Sequence, residues 1–100
     1  MPSGDRVRAY CDFHKAVDAR TFLLTTIGSR RDLDRLGPAL AVGVSLTLWM
    51  DDADAEGRRD DLLVDGVLDR LADGTWIARV DPATWRHDSD ERGRIPPNKA

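Results

Sequence analysis

The dipeptide Asp73-Gly74 lies between two runs of apolar and β-branched residues, at positions 62–68 and 75–80. Asp-Gly is strongly favoured in the two-residue turns that join antiparallel strands, because such turns place backbone at positive φ. We therefore expect a β-hairpin here. Within the first run, the alternation of apolar and polar residues slips at Asp65-Gly66, and this slip predicts a β-bulge.

Two further segments predict strands. Residues 42–50 alternate with a period of two, with one face made of Val44, Leu46, Leu48 and Met50 and the other of Ser45, Thr47 and Trp49. Residues 21–27 are β-branched and aromatic and end at Gly28. Residues 7–18 fit either period, and we prefer a strand or irregular lead-in followed by one helical turn.

One short helix is expected over 29–37. Ser29 is a good N-cap residue, and Asp32 three positions later forms a weak capping box. The pair Gly37-Pro38 ends the segment, since glycine favours a helix C-terminus and proline cannot continue a helix. Farther along, Asp81-Pro82 predicts a single turn with Asp81 as its cap.

The acidic residues are almost all aspartate: sixteen Asp against Glu56 and Glu91. Because Asp prefers caps and turns, this bias favours a chain rich in loops and strands over a helical bundle. With 100 residues, the chain has room for one core. We predict a single β-rich α+β domain over residues 7–87, either a small SH3-like barrel or a curled antiparallel sheet, with one short helix.

The two ends of the chain are expected to lie outside this domain. Residues 1–6 are expected to form a frayed terminus. Residues 88–100 contain one aliphatic residue, Ile95, and the pair Pro96-Pro97, which prevents a regular helix. We therefore expect 88–100 to be an extended or disordered tail.

The order strand, acidic loop, strand, tight turn, strand and single turn over residues 42–87 resembles the SH3-like small barrels. The chain also resembles a small, uncharacterised bacterial protein family. The residues that carry this second resemblance are Phe13-His14-Lys15, Thr26-Ile27-Gly28, the stretch 60–67, Trp76-Ile77-Ala78 and the stretch 86–90. The resemblance implies a bacterial, cytoplasmic protein and lends no activity.

Charge and cysteine content narrow the possible partners. The net charge is −3 and the pI about 5.2, which disfavours the basic face that nucleic-acid binding requires. We expect no membrane association either, since no 18-residue apolar run occurs. A lone Cys11 and the lack of an apolar leader at the N-terminus predict a reduced, cytoplasmic setting.

An acidic loop at 51–61 is the strongest metal candidate. Asp52, Asp54, Glu56 and Asp60, with Gly57 between them, follow the spacing of a calcium-binding loop at its positions 1, 3, 5, 6 and 9. Position 12 is Leu63, where such loops carry a bidentate glutamate. Calcium binding here is therefore the alternative hypothesis, and a solvated hairpin loop remains open.

Catalytic chemistry finds little support in the sequence. Cys11, His14 and His87 could form a zinc or nucleophilic site only if the fold brought them together and supplied further groups. Phosphate-binding, dinucleotide-binding and hydrolase motifs do not occur. We predict a chain that is not an enzyme and needs no cofactor.

Aromatic and arginine side chains offer contact surfaces instead. Trp and Arg dominate protein-binding hot spots, and four residues of these types fall on or beside the predicted strands. They are Trp49, Arg79, Trp85 and Arg86. The parity of the strand at 42–50 sets Trp49 opposite the apolar face, while Trp76 is expected in the core. The hypothesis is a non-catalytic module that binds protein or peptide, or self-associates.

Overall fold

The computed structural model describes residues 7–92, which form a mixed, open sheet of seven strands with one eight-residue helix. The strands are β1 (Val7–Tyr10), β2 (Ala16–Asp18), β3 (Thr21–Leu23), β4 (Ser45–Met50), β5 (Leu62–Arg70), β6 (Trp76–Val80) and β7 (Arg86–His87). The helices are α1 (Ile27–Asp34) and the short α2 (Asp88–Arg92), with 3-10 turns at Gly37–Ala39 and Pro82–Thr84. The α+β, β-rich prediction is confirmed at this level.

The strand order is β1-β4-β5-β6-β3-β2, and β7 pairs with β5 beyond the end of β6. β1 runs parallel to β4, whereas every other pair of described strands is antiparallel. A wholly antiparallel sheet is thus wrong, and the SH3-like barrel is not confirmed. The parallel pair brings the N-terminal segment alongside the middle of the chain, a long-range contact that no local pattern predicts.

The helix α1 begins two residues before the expected cap. Thr26 is the N-cap, and its hydroxyl accepts a hydrogen bond from the Ser29 amide at 3.0 Å. Ser29 is fully buried, and its hydroxyl donates to the Tyr10 carbonyl of β1. The strand expected at 21–27 is observed only over Thr21–Leu23, because Thr26 instead caps the helix. The expected helical turn before it is instead the edge strand β2.

The predicted β-bulge at Asp65-Gly66 is wrong, since β5 pairs with β4 in continuous register through both residues. The irregularity lies on the opposite side, where the turn Pro82–Thr84 separates β6 from β7. Asp65 bonds to both flanks of that turn: its amide donates to the Thr84 hydroxyl and its carbonyl accepts from the Asp81 amide, each at 2.9 Å. The slip in the alternation of β5 therefore coincides with the break between its partner strands β6 and β7.

Both predicted turns are present. Gly74 has a φ of +92°, and its amide donates to the Leu71 carbonyl to close the turn between β5 and β6. Asp81 caps the turn Pro82–Thr84 by accepting from the Ala83 amide at 3.0 Å.

The two faces of the sheet differ in which residues pack against them. The first face packs against Leu33 of α1 and forms the main core, together with Leu46, Leu48, Val64, Leu68, Ala78 and Val80. The second face carries the residues of opposite parity, which are Ser45, Thr47, Trp49, Leu63, Asp65, Val67, Ile77 and Arg79. On this second face Ser45, Val67 and Arg79 are exposed, whereas Thr47, Leu63 and Ile77 are buried.

Residues 88–92 are helical as α2, which differs from the expected extended tail. The carboxylates of Asp88 and Glu91 contact Arg8, and Glu91 also contacts Arg86, so α2 lies against one end of the second face. The expected frayed terminus at 1–6 and the rest of the tail, 93–100, lie outside the described residues. No described helix has the length and apolar character needed to cross a bilayer.

Candidate functional site

The four predicted contact residues do not form one site. Trp49, Arg79 and Arg86 lie on the second face, on three different strands. Trp85 lies with Phe13 and Phe22 at the end of the sheet. Each of the four residues therefore has its own surroundings, which decide whether it is free to contact a partner.

Arg86 is held inside an ion cluster. Its guanidinium donates to the Asp65 carboxylate at 3.0 Å and to Glu91 at 2.7 Å, and its side chain is only 17% exposed. Burial opposes its charge, but the hydrogen bonds to Glu91 and Asp65 outweigh burial and raise the pKa of Arg86. Thr47 donates a further hydrogen bond to Asp65 at 2.9 Å. Arg86 thus ties α2 to the sheet and is not available to a partner.

Trp49 is half-buried. Its ring meets the Tyr10 ring edge-on, with 5.0 Å between centroids, and the Arg59 guanidinium lies 5.7 Å from its ring centroid. Trp76 is also half-buried at the border of the core, with Arg70 at 4.6 Å from its ring centroid. These contacts account for the buried part of both rings.

Trp85 is 36% exposed, and its remaining surface packs on other aromatic rings. The ring centroids of Trp85 and Phe13 are 4.9 Å apart, and those of Trp85 and Phe22 are 6.1 Å apart. Edge-to-face packing of this kind fastens the segment that follows β1 to the turn before β7. The role of Trp85 is therefore mainly structural, since its ring packs two chain segments together.

Arg79 differs from the other three because it borders an open groove on the second face. The groove has a volume of about 470 Å³. Its lining includes Arg20, Ser45, Val67, Arg79, Pro82 and Thr84. Val67 forms part of its floor and is 40% exposed, although β5 is an interior strand with β4 and β6 on either side. Val67 is thus an apolar side chain open to solvent on the second face, and the groove beside it offers a partner a place to cover it.

Sequence reasoning named Arg79 but missed Val67, Ser45 and Arg20. The sequence does contain a signal for the exposure of Val67, because this apolar residue has Asp65 and Asp69 two positions to either side. On a strand these three share one face, so Val67 had to stand on a polar surface. Arg20 lies in a turn, and no periodicity could have placed it.

The acidic loop forms a tight hairpin in which arginines meet the carboxylates. Asp54 accepts from the amides of Glu56 and Arg58 at 2.9 Å each, and from the Arg58 guanidinium at 3.1 Å. Asp52 contacts His87 at 2.8 Å, and Asp60 accepts from Ser89. Of the four predicted calcium ligands, Asp54 and Glu56 thus share Arg58, whereas Asp52 and Asp60 contact other residues. Over residues 7–92, no three His, Cys, Asp or Glu side chains lie close enough to share a metal ion.

Cys11, His14 and His87 lie in separate environments. Cys11 is fully buried in the core, and burial raises the pKa of its thiol to about 12. A thiol with so high a pKa is a poor nucleophile near neutral pH. The His14 side chain is 84% exposed and bonds to Asp12, while His87 bonds to Asp52. The geometry assembles no nucleophile and base from these three groups.

The His87–Asp52 pair gives the fold a pH dependence. The hydrogen bond to Asp52 raises the pKa of His87 above 6.5, and the same bond lowers the pKa of Asp52 below 3.8. A raised histidine pKa stabilises the fold fully below the unfolded value and loses this effect as pH rises through the folded value. The lowered aspartate pKa stabilises the fold above its unfolded value, so the pair acts most strongly between these limits.

We therefore expect the melting temperature of the native chain to exceed that of His87→Gln near pH 5.5, with the difference shrinking as pH rises toward about 8.5. The shift is modest, since the two side chains are 40% and 44% exposed. Thermal melts across this pH range measure it. In an Asp52→Asn background the histidine substitution should have little pH dependence, and an undiminished pH dependence there would contradict the assignment.

Comparison with protein-family models, with curated proteins and with solved structures finds no match to this chain. The resemblance to a bacterial family therefore stays a prediction. Any function has to be inferred from the geometry of the described residues.

Proposed function

We propose that this chain is a non-catalytic, cytoplasmic module that binds an extended segment of a partner protein in the groove over Val67. The observation that carries the proposal is the 40% exposure of Val67 in an interior strand, beside a groove of about 470 Å³. An apolar floor with polar sides is the common anatomy of a binding surface. The buried, unpaired thiol of Cys11 is in keeping with a reducing compartment.

The charges around the groove favour a partner that carries carboxylates. The Arg79 side chain is 56% exposed and holds Asp69 at 2.6 Å, and Arg20 has no ion pair within residues 7–92. The acids that face the groove are already engaged, because Asp65 pairs with Arg86 and Asp81 caps the following turn. A carboxylate entering the groove thus meets the Arg20 guanidinium, and beside it the exposed Arg79, which it would share with Asp69. Guanidinium groups bind carboxylates in a bidentate geometry.

The alternative of calcium binding gains nothing from the structure. Asp52, Asp54, Glu56 and Asp60 accept hydrogen bonds from His87, Arg58 and Ser89, and within residues 7–92 their oxygens do not converge on a common point. Calcium needs six to eight oxygens around one centre. These acids therefore belong to a solvent-exposed hairpin, and their side chains pair with neighbouring residues of the protein.

Selection from a random peptide library on the immobilised protein tests the proposal. We expect the selected peptides to combine an apolar residue with Asp or Glu. Val67→Glu should weaken their binding about tenfold or more, since it places a like charge on the apolar floor. Arg20→Ala should weaken binding as well, and it removes an exposed side chain without touching the core.

Val42→Glu is the matched control, because Val42 is 57% exposed and lies outside the groove. It should leave peptide affinity within a factor of two. Equal losses from Val42→Glu and Val67→Glu, or selected peptides without acidic residues, would contradict the proposal. Sedimentation of the native chain adds a further check: a dimer that Val67→Glu abolishes would show that a second copy fills the groove, and would overturn the proposal of a foreign partner.

A further inference from the structure

A second cavity lies on the opposite side of the molecule, between α1 and the start of β6. Its volume is about 330 Å³, at the small end of the range for ligand pockets. The apolar wall consists of Leu24, Leu33, Leu40 and Trp76, and the rim carries Arg30 and Asp34 from α1. Leu24 and Leu33 are 2% and 3% exposed, so the deepest part of this wall belongs to the rigid core.

Arg30 and Asp34 stand four residues apart on α1 and carry opposite charges. Residues at this spacing are neighbours on a helix surface and readily form an ion pair. Within residues 7–92, however, neither side chain takes part in an ion pair or a hydrogen bond. The other acid of α1, Asp32, is engaged by Arg35 and by the Tyr10 amide. The rim thus presents, among the described residues, one free cation and one free anion side by side.

We propose that this cavity binds a free apolar amino acid, with its carboxylate on Arg30, its ammonium on Asp34 and its side chain against Leu40 and Trp76. The pairing of charges decides the ligand class. A fatty acid or other apolar anion would leave Asp34 beside its carboxylate, and an apolar amine would face Arg30. A zwitterion with an apolar side chain satisfies both rim charges and the wall at once.

Titration with L-phenylalanine, followed by amide and indole NMR shifts, tests the site. We expect saturable shifts at the Trp76 indole N–H and at the Leu33 and Thr75 amides. Two analogues separate the charges: 3-phenylpropanoate lacks the ammonium and 2-phenylethylamine lacks the carboxylate. Each should bind about tenfold more weakly than phenylalanine, the effect of losing one charged hydrogen-bonding group.

Substitutions at the rim test whether Arg30 and Asp34 bind the ligand. Arg30→Gln and Asp34→Asn should each weaken phenylalanine binding about tenfold. Arg31→Gln is the matched control, because Arg31 is an exposed neighbour that does not line this cavity. It should leave binding unchanged. No saturable shift at millimolar phenylalanine, equal losses from Arg30→Gln and Arg31→Gln, or undiminished binding of 3-phenylpropanoate would overturn the proposal. Its outcome is independent of the groove over Val67.

Discussion

Arg86→Ala is expected to lower the free energy of unfolding by about 3 kcal/mol. The substitution leaves the Asp65 carboxylate, which is 20% exposed, without its cationic partner. It also removes a guanidinium that bonds to Glu91 of α2 and to the Thr84 carbonyl at 2.8 Å. Breaking a partly buried pair costs more than the pair contributes, because the remaining charge is left poorly solvated. Urea unfolding monitored by tryptophan fluorescence measures the loss.

Arg58→Ala is the matched control for this prediction. Arg58 also contacts two carboxylates, Asp54 and Glu56, but its side chain is 75% exposed. Exposed ion pairs contribute about 0–1 kcal/mol, so this substitution should change stability little. If both arginine variants lose the same free energy, the cluster around Arg86 does not anchor α2 as described.

Gly66→Ala is expected to destabilise the fold by about 2 kcal/mol. A Cβ at Gly66 would stand 2.9 Å from the Arg79 carbonyl oxygen and 3.3 Å from a Val80 methyl group. The first of these is backbone of the paired strand β6, so relief requires the strands to separate locally. Thermal and urea unfolding both report this cost.

Gly57 distinguishes this steric cause from backbone strain. Gly57 has a φ of +83°, and apart from Gly57 and its two chain neighbours no described residue has an atom within 4 Å of the position that a Cβ would take there. Asparagine tolerates positive φ better than alanine, so Gly57→Asn should be less destabilising than Gly57→Ala. At Gly66 the order should reverse, because a larger side chain worsens the contact. The same order at both sites would refute the steric explanation.

Local features of the sequence predicted local structure well. Asp73-Gly74 and Asp81-Pro82 form the expected turns, because a positive φ and a capped first turn depend on the residues themselves. The alternation at 42–50 likewise assigned Leu46 and Leu48 to the buried face, where both are 0% exposed. Each of these features is decided within a few residues.

The features that failed depend on partners far along the chain. The parallel pairing of β1 with β4 aligns Ala9 with Leu48, a contact that no local periodicity encodes. The helix cap is Thr26 and not Ser29, because the Ser29 hydroxyl donates to the Tyr10 carbonyl of β1. The apparent bulge at Asp65-Gly66 came from the turn opposite it. Tertiary contacts chose among local alternatives in each case.

Of the residues that line the groove, the sequence predicted only Arg79 as a contact residue. Arg79 was named because arginine is common at interfaces, whereas Trp49, Trp85 and Arg86 proved to be held by Tyr10, Phe13 and Asp65. Whether an aromatic or charged residue is free to bind depends on what packs against it. That information appears only once the strands are paired.

Amide shift mapping of the native chain with one library-selected acidic peptide tests most directly whether the groove over Val67 is the binding site. We expect saturable shifts concentrated at Ser45, Val67 and Arg79, which share the groove, with little change at Ile27 or in the acidic hairpin. Shifts confined to α1, to the hairpin at 51–61 or to the Trp85 cluster, with Val67 undisturbed, would contradict binding in the groove.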